Sequence, residues 1–218
     1  EYVSGPSLAL VLEQVPDTHA PPVNAAAHVL VEVAAGAGDG LRDSFEQALC
    51  ALVSEGLVLE AVLAQNDAQR RAFWRLRETI PAAEKQLGGS IKHDVSVQLD
   101  RLPALERDAR CAVLARVPAA RLSVYGHVGD GNLHFNVLAP AGSDPTLFKA
   151  AHAEAVSALV HAAASRLDGS FSAEHGVGKL KRELLRDTEG PVAIDLMWAL
   201  KRAFDPRGLM NPGKVLLP

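Results

Sequence analysis

The sequence predicts an α+β fold: one mainly antiparallel sheet with helices packed on one side. Three observations carry this prediction. Strand-like runs are few and short. Helical periodicities are long, the longest covering residues 144–167. A turn at Asp130-Gly131 joins two alternating segments into a hairpin. Few strands beside long helices fit a layered α+β design.

Taken in order, residues 6–15 read as a short helix followed by a turn-rich link over 17–24. Residues 28–35 are apolar and β-branched, the mark of a strand, and are stopped by the glycine-rich run 36–40. Residues 41–54 form a helix with Phe45, Leu49 and Leu52 on one stripe, and residues 57–64 form a second strand. Asn66 is placed to cap a long helix. Phe73, Leu76, Ile80, Ala83 and Leu87 mark its buried face, with a kink expected at Pro81 and a stop at Gly88-Gly89. Residues 91–99 alternate as a third strand, and residues 102–117 form a helix opened by Pro103. Residues 122–127 and 133–138 are the hairpin arms. Asp144-Pro145 opens the long helix, 169–173 is a short extended piece, and 179–186 and 191–204 are helices. Residues 205–218 form a terminal arm. No linker divides the 218 residues, so they read as one domain related to the ferredoxin-like plan.

Composition narrows the function. Hydrophobic residues make up 48% and charged residues 22%, ordinary values for a globular chain. A net charge of −4 and a pI near 6.1 give no electrostatic basis for binding nucleic acid or an anionic membrane. The longest apolar stretch, 23–38, is interrupted by His28 and Glu32 and is too polar to span a bilayer. Cys50 and Cys111 are far apart, which is consistent with buried, reduced thiols in a cytoplasmic protein. The chain opens Glu1-Tyr2-Val3 and carries no convincing nucleotide-binding loop, as expected of part of a longer polypeptide.

The chemistry concentrates in Gly126-His127-Val128-Gly129-Asp130-Gly131-Asn132-Leu133-His134. A type I′ turn at Asp130-Gly131 would set His127 directly opposite His134, with Cβ atoms roughly 4.5–5.5 Å apart. Asn136 would share that face. Two imidazoles so placed could grip one cation. The segment Ser172-Ala173-Glu174-His175-Gly176 offers a third ligand. Two histidines and a carboxylate with positions left open is the pattern of a catalytic Zn²⁺, Mn²⁺ or Fe²⁺. In an extended segment Glu174 and His175 point opposite ways, so one could bind metal while the other faces substrate. Arg77 could grip a carboxylate through two parallel hydrogen bonds, and Lys92 could act as a point charge.

These motifs, with Ala173-Glu174-His175-Gly176-Val177-Gly178 and Asp205-Pro206-Arg207-Gly208-Leu209-Met210-Asn211-Pro212-Gly213-Lys214, resemble the C-terminal half of the FAD-linked oxidases of the vanillyl-alcohol oxidase type. That group includes D-lactate dehydrogenases, the glycolate oxidase flavin subunit and D-2-hydroxyglutarate dehydrogenases. Phe73-Trp74-Arg75-Leu76-Arg77-Glu78 and Ile91-Lys92-His93-Asp94-Val95-Ser96 lean toward the last branch. Pro81 stands where some hydroxyglutarate enzymes have a threonine that helps hold the substrate, and Gln98 where a proline is common.

The resemblance implies a substrate-binding cap of an FAD-dependent D-2-hydroxyacid dehydrogenase, inactive without its FAD domain. His127, His134 and Glu174 would bind the divalent metal, and His175 would accept the hydroxyl proton. Arg77, Lys92 and Asn136 would hold substrate, and Asn211, in the arm returning to the FAD domain, would touch flavin. Expected partners are a small 2-hydroxy acid, the chain's own FAD-binding domain and, for assembly, a homodimer. Two other readings of the same residues are a flavin-free metal-dependent hydrolase and a non-catalytic ligand-binding or assembly module.

Overall fold

The computed structural model describes residues 1–21, 25–34 and 40–217. It divides into two compact units, Glu1–Phe171 and Ser172–Pro218. The fold is α+β, as the sequence predicts.

The first unit is built on an antiparallel sheet of β1 (Tyr2–Ser4), β2 (Ala27–Val29), β3 (Ser90–Ile91), β4 (Asp94–Ser96), β5 (Arg121–Gly126) and β6 (Asn132–Leu138). The strand order is β2-β1-β5-β6-β3, and β4 also pairs with β6. Ile91 faces Val137 and Asp94 faces His134, so β3 and β4 follow one register along β6. The two residues between them keep that line, because the amide of Phe135 donates to the carbonyl of His93 at 3.0 Å.

Six α-helices among the described residues belong to this unit: α1 (Gly5–Gln14), α2 (Leu41–Ser54), α3 (Asp67–Glu78), α4 (Ile80–Gln86), α5 (Leu102–Arg116) and the long α6 (Pro145–Ser165). Their starts follow local chemistry. Asn66 accepts from the Gln69 amide at 2.9 Å, and Asp144 accepts from Thr146 and Leu147 at 2.7 and 3.0 Å. These contacts satisfy amides that have no partner inside the helix.

Strand alternation sorts the sheet into two faces. Leu122, Val124, Leu133, Phe135 and Val137 point into an apolar cluster with Leu105, Ala109 and Val113 of α5 and Val156 and Val160 of α6. Each fully buried side chain of this size contributes about 1.5–3 kcal/mol. On the other face Val3, Tyr125 and Leu138 meet Leu8 and Val11 of α1 and Ile80 and Ala83 of α4. Helices therefore cover both faces, not the single side expected. The reason is that Tyr125 and Leu138, out of phase with the main apolar row, present apolar surface of their own.

Other differences are local. The long helix expected after Asn66 is two helices that meet at Thr79, with Pro81 in the first turn of α4. There proline's missing N–H has no helical partner to lose. The strand expected over 57–64 does not form, because the amides of Leu57 and Val58 turn back to the Leu52 carbonyl. Cys50 and Cys111 are exposed free thiols rather than buried ones; α2 buries no residue, and α5 turns Leu105, Ala109 and Val113 inward instead. Residues 22–24 of the expected link, and 35–39 at the end of the first expected strand and in its glycine stop, lie outside the described residues. No helix among the described residues is long and apolar enough to cross a membrane.

The second unit holds α7 (Arg182–Thr188), α8 (Pro191–Phe204) and the terminal arm. Within it, Val215 donates to the Gly178 carbonyl at 2.7 Å, and Arg182 Nη1 donates to the Gly213 carbonyl at 2.9 Å. The Asp205 carboxylate accepts from the amides of Leu209 and Met210 at 2.9 and 2.8 Å and pairs with Lys201. The lysine contact holds the Asp205 carboxyl below its ordinary pKa.

Candidate active site: a polar row on the α1–α4 face of the sheet

The polar residues of β5, β6 and β4 share the face not filled by α5 and α6. Tyr125 is the cross-strand partner of His134, and His134 is in turn the partner of Asp94. The hairpin is thus displaced by two residues from the expected pairing, which would have set His127 opposite His134. Its tip is a 3-10 turn, Val128–Asp130, closed by Gly131 at φ +70°. A shift of two preserves strand parity, so the intended face is kept. The rings of His127 and His134 still meet, with centroids 6.1 Å apart and planes at 77°. A nitrogen of one ring comes within 4.8 Å of a nitrogen of the other.

Arg77 lies in the last turn of α3 and is buried to 9% exposure. Its guanidinium carbon lies 4.6 Å from the centroid of the Tyr125 ring, and its Nε donates to Glu1 Oε2 at 2.6 Å. The other oxygen of Glu1 is 2.8 Å from His127 Nδ1. The terminal amino groups of Arg77 donate to none of the described residues. This is a cation held from two sides with its fork left over for an anion.

Asn136, also on β6, is 2% exposed. Its amide nitrogen donates to both oxygens of Glu84, at 2.9 and 3.1 Å, and to the Tyr125 hydroxyl at 3.4 Å. Glu84 is fully buried and also accepts from Ser90 Oγ at 2.8 Å. Burial, and then the charge of Glu84, push the Tyr125 phenol well above its ordinary pKa. Asp94, likewise fully buried, accepts from Asn132 Nδ2 at 2.8 Å and lies 3.7 Å from His134 Nδ1. The remaining oxygen of Asn132 is buried and has no partner among the described residues.

Lys92 is exposed, and the register of β3 and β4 sets it opposite Asn136, on the same face as His134. Its neighbour His93 belongs to the other face. Its Nδ1 meets the Phe135 carbonyl at 2.6 Å, its Nε2 meets Ser157 Oγ at 3.0 Å, and its ring packs edge-on to His161.

The structure therefore brings together Arg77, Asn136, His127 and His134, with Lys92 in line. Glu174, His175 and Asn211 lie in the second unit. Glu174 and His175 are exposed in an irregular segment, followed by Gly176 at φ +71°. Asn211, at φ +47°, accepts from the Lys214 amide at 3.2 Å. Sequence reasoning missed Glu1, Glu84, Tyr125 and Asp94. Asp94 alone had a signal, since alternation from Lys92 places it on the same face.

Two imidazoles with close ring nitrogens and a carboxylate beside each Nδ1 make a donor set suited to a borderline divalent cation such as Zn²⁺. An arginine fork beside them adds an anion site. The face thus carries a candidate anion position beside a candidate metal position.

Comparison with known proteins makes the class specific. Residues 1–215 match the family of FAD-linked oxidases, C-terminal domain, and the chain belongs to it. It is 38% identical over 173 residues to the D-2-hydroxyglutarate dehydrogenase of Stutzerimonas stutzeri (strain A1501), covering 78% of this chain and 37% of that protein. It is 37% identical over 188 residues to the enzyme of that name from Xanthomonas citri pv. viticola, covering 86% and 39%. Against the mitochondrial D-2-hydroxyglutarate dehydrogenase of Arabidopsis thaliana it is 32% identical over 218 residues, covering 99% and 37%. The chain spans about two fifths of the length of these curated relatives.

Proposed function

We propose that the chain is the substrate- and metal-binding part of an FAD-dependent D-2-hydroxyacid dehydrogenase, with D-2-hydroxyglutarate the substrate its relatives point to. The observation that carries this reading is the Arg77 fork on the same sheet face as the His127–His134 pair. A 2-hydroxy acid offers matching groups: a carboxylate for the arginine, and a hydroxyl and carboxylate oxygen for a chelated cation.

In this reading Arg77 takes a substrate carboxylate on its terminal amino groups, and Tyr125 and Glu1 keep the guanidinium from turning. Lys92 adds positive charge along the same row. Asn136, braced by Glu84, holds its position against β5. His127 and His134, joined by Glu174, would hold the divalent cation, which when bound lowers the pKa of the substrate hydroxyl. His175 would accept the hydroxyl proton, a task suited to imidazole near neutral pH. FAD, held by the rest of the longer protein, supplies the hydride acceptor.

The second unit also supports a larger assembly. Helix α8 leaves Val192, Leu196, Leu200 and Phe204 exposed at intervals of four, an apolar stripe suited to docking on the remainder of the flavoprotein.

The test is a screen of the full-length flavoprotein against D-2-hydroxyglutarate, D-lactate, D-malate and glycolate, read by dye reduction. Turnover of one or more acids, lost in Arg77→Ala, is expected. A full-length protein with bound flavin that oxidises none of them would overturn the reading.

A further inference from the structure

We propose that Glu1 is a positioning residue of this site: its carboxylate ties Arg77 to His127 and holds the imidazole with its proton on Nδ1, leaving Nε2 as the ligating atom. The proposal rests on the metal-centred reading above and deepens it.

The placement comes from the sheet. Tyr2 faces Gly126 and Val3 faces Tyr125, so the same antiparallel register sets Glu1 beside His127. The Glu1 carbonyl accepts from the Leu30 amide at 2.8 Å, which anchors its backbone between β2 and β5. Its side chain is 9% exposed and that of Arg77 10%, so solvent screens their contact little.

The chemistry then fixes the tautomer. An ionised carboxylate can only accept hydrogen bonds. Arg77 Nε donates to one oxygen at 2.6 Å, and the other lies 2.8 Å from His127 Nδ1, a contact that becomes a hydrogen bond when Nδ1 carries the hydrogen. A neutral imidazole has one N–H, so the lone pair falls on Nε2. A carboxylate on the far nitrogen of a ligating histidine is the arrangement that orients metal-binding imidazoles. Asp94 stands on the same side of His134, 3.7 Å from its Nδ1, and favours the same tautomer there. Glu1 differs in also gripping the anion-binding arginine. Substrate anchor and metal ligand are thereby set at a fixed spacing by one side chain.

The test uses the 218-residue chain labelled with ¹⁵N-histidine, free of metal at pH 9, and Zn²⁺ as the probe. Two-bond ¹H–¹⁵N spectra report the tautomer of His127, identified by its loss in His127→Asn. The wild type is expected to show the Nδ1–H form. Glu1→Gln offers one acceptor oxygen where two are needed, and Glu1→Asp keeps the charge but is too short to bridge. Both should shift His127 toward the Nε2–H form and weaken Zn²⁺ binding 10–100-fold, read by chelator competition. Far-UV circular dichroism checks that each variant is folded, and Glu1→Asp carries the test if Glu1→Gln is not. An Nε2–H form in the wild type, or variants with unchanged tautomer and zinc affinity, would overturn the proposal. A wild-type chain that binds no Zn²⁺ would overturn the metal reading and take the ligating role of Nε2 with it, a failure visible before any variant is made.

Discussion

The guanidinium of Arg77 rests on the ring of Tyr125, 4.6 Å from its centroid. The ring of Tyr125 in turn packs 5.1 Å from that of His134, its cross-strand partner. One aromatic side chain therefore supports both the Arg77 guanidinium and an imidazole of the candidate metal pair. Replacing the ring should loosen both. Cation–π contacts are worth about 0.5–2 kcal/mol, so Tyr125→Leu should raise the KM of the full-length enzyme for its carboxylate substrate by roughly 2- to 30-fold. Tyr125→Phe keeps the ring and should stay near wild type. Equal KM values for both variants would show that the ring does not hold Arg77.

Alkaline pH offers a test on the isolated chain. Its two tyrosines, Tyr2 and Tyr125, both have raised phenol pKa values. Burial is the main cause in each, followed by the Glu106 contact for Tyr2 and the Glu84 charge for Tyr125. An unfolded tyrosine ionises near pH 10. A raised folded value means the native state keeps a proton that the unfolded state releases. Stability is then intact below about pH 10 and falls as pH rises beyond it. Absorbance at 295 nm should show no tyrosinate until the chain unfolds, and then both groups together. A titration step near pH 10 in folded protein would contradict the burial of these phenols.

The hairpin tip has little tolerance. A Cβ on Gly131 would come 2.0 Å from the Val97 carbonyl oxygen, at a backbone φ of +70°. Clash and strain act together. Gly131→Ala should destabilise the chain by at least about 2 kcal/mol in urea unfolding and separate the His127 and His134 rings. A variant as stable as wild type, with histidine shifts unchanged, would rule out close packing of Gly131 against Val97.

Metal binding should register as stability. A cation that binds the folded chain alone adds about 2.7 kcal/mol at a hundredfold excess over its dissociation constant. Zn²⁺ or Mn²⁺ should raise the melting temperature, EDTA should reverse the rise, and His134→Ala should abolish it. An identical zinc response in His134→Ala would place the ion elsewhere.

Much of this was legible in the sequence, for physical reasons that differ by element. Asn66 and Asp144 announced their helices because a cap is local chemistry. The face carrying His134 and Asn136 was readable because strand parity survives a register shift of two. The register itself was not. An Asp-Gly pair fits a two-residue turn, but glycine is equally at home at the end of the longer turn that formed. Strand β1 has only three residues, and its partner β5 lies more than 100 positions away, so no local period reveals it. Glu1 and Glu84 gained their roles only through such distant pairings. A carboxylate in an alanine-rich helix, as Glu84 is, looks like any solvated residue.

One side of the sheet is packed by α5 and α6, while the other combines apolar contacts to α1 and α4 with the polar row around His134. Engineers seeking a hardier chain can therefore work from the α5–α6 side, repacking Val113, Val156 and Val160 with volume-matched residues. If the proposed reading holds, changes around Arg77 and Lys92 would address selectivity instead, on the opposite face of the sheet.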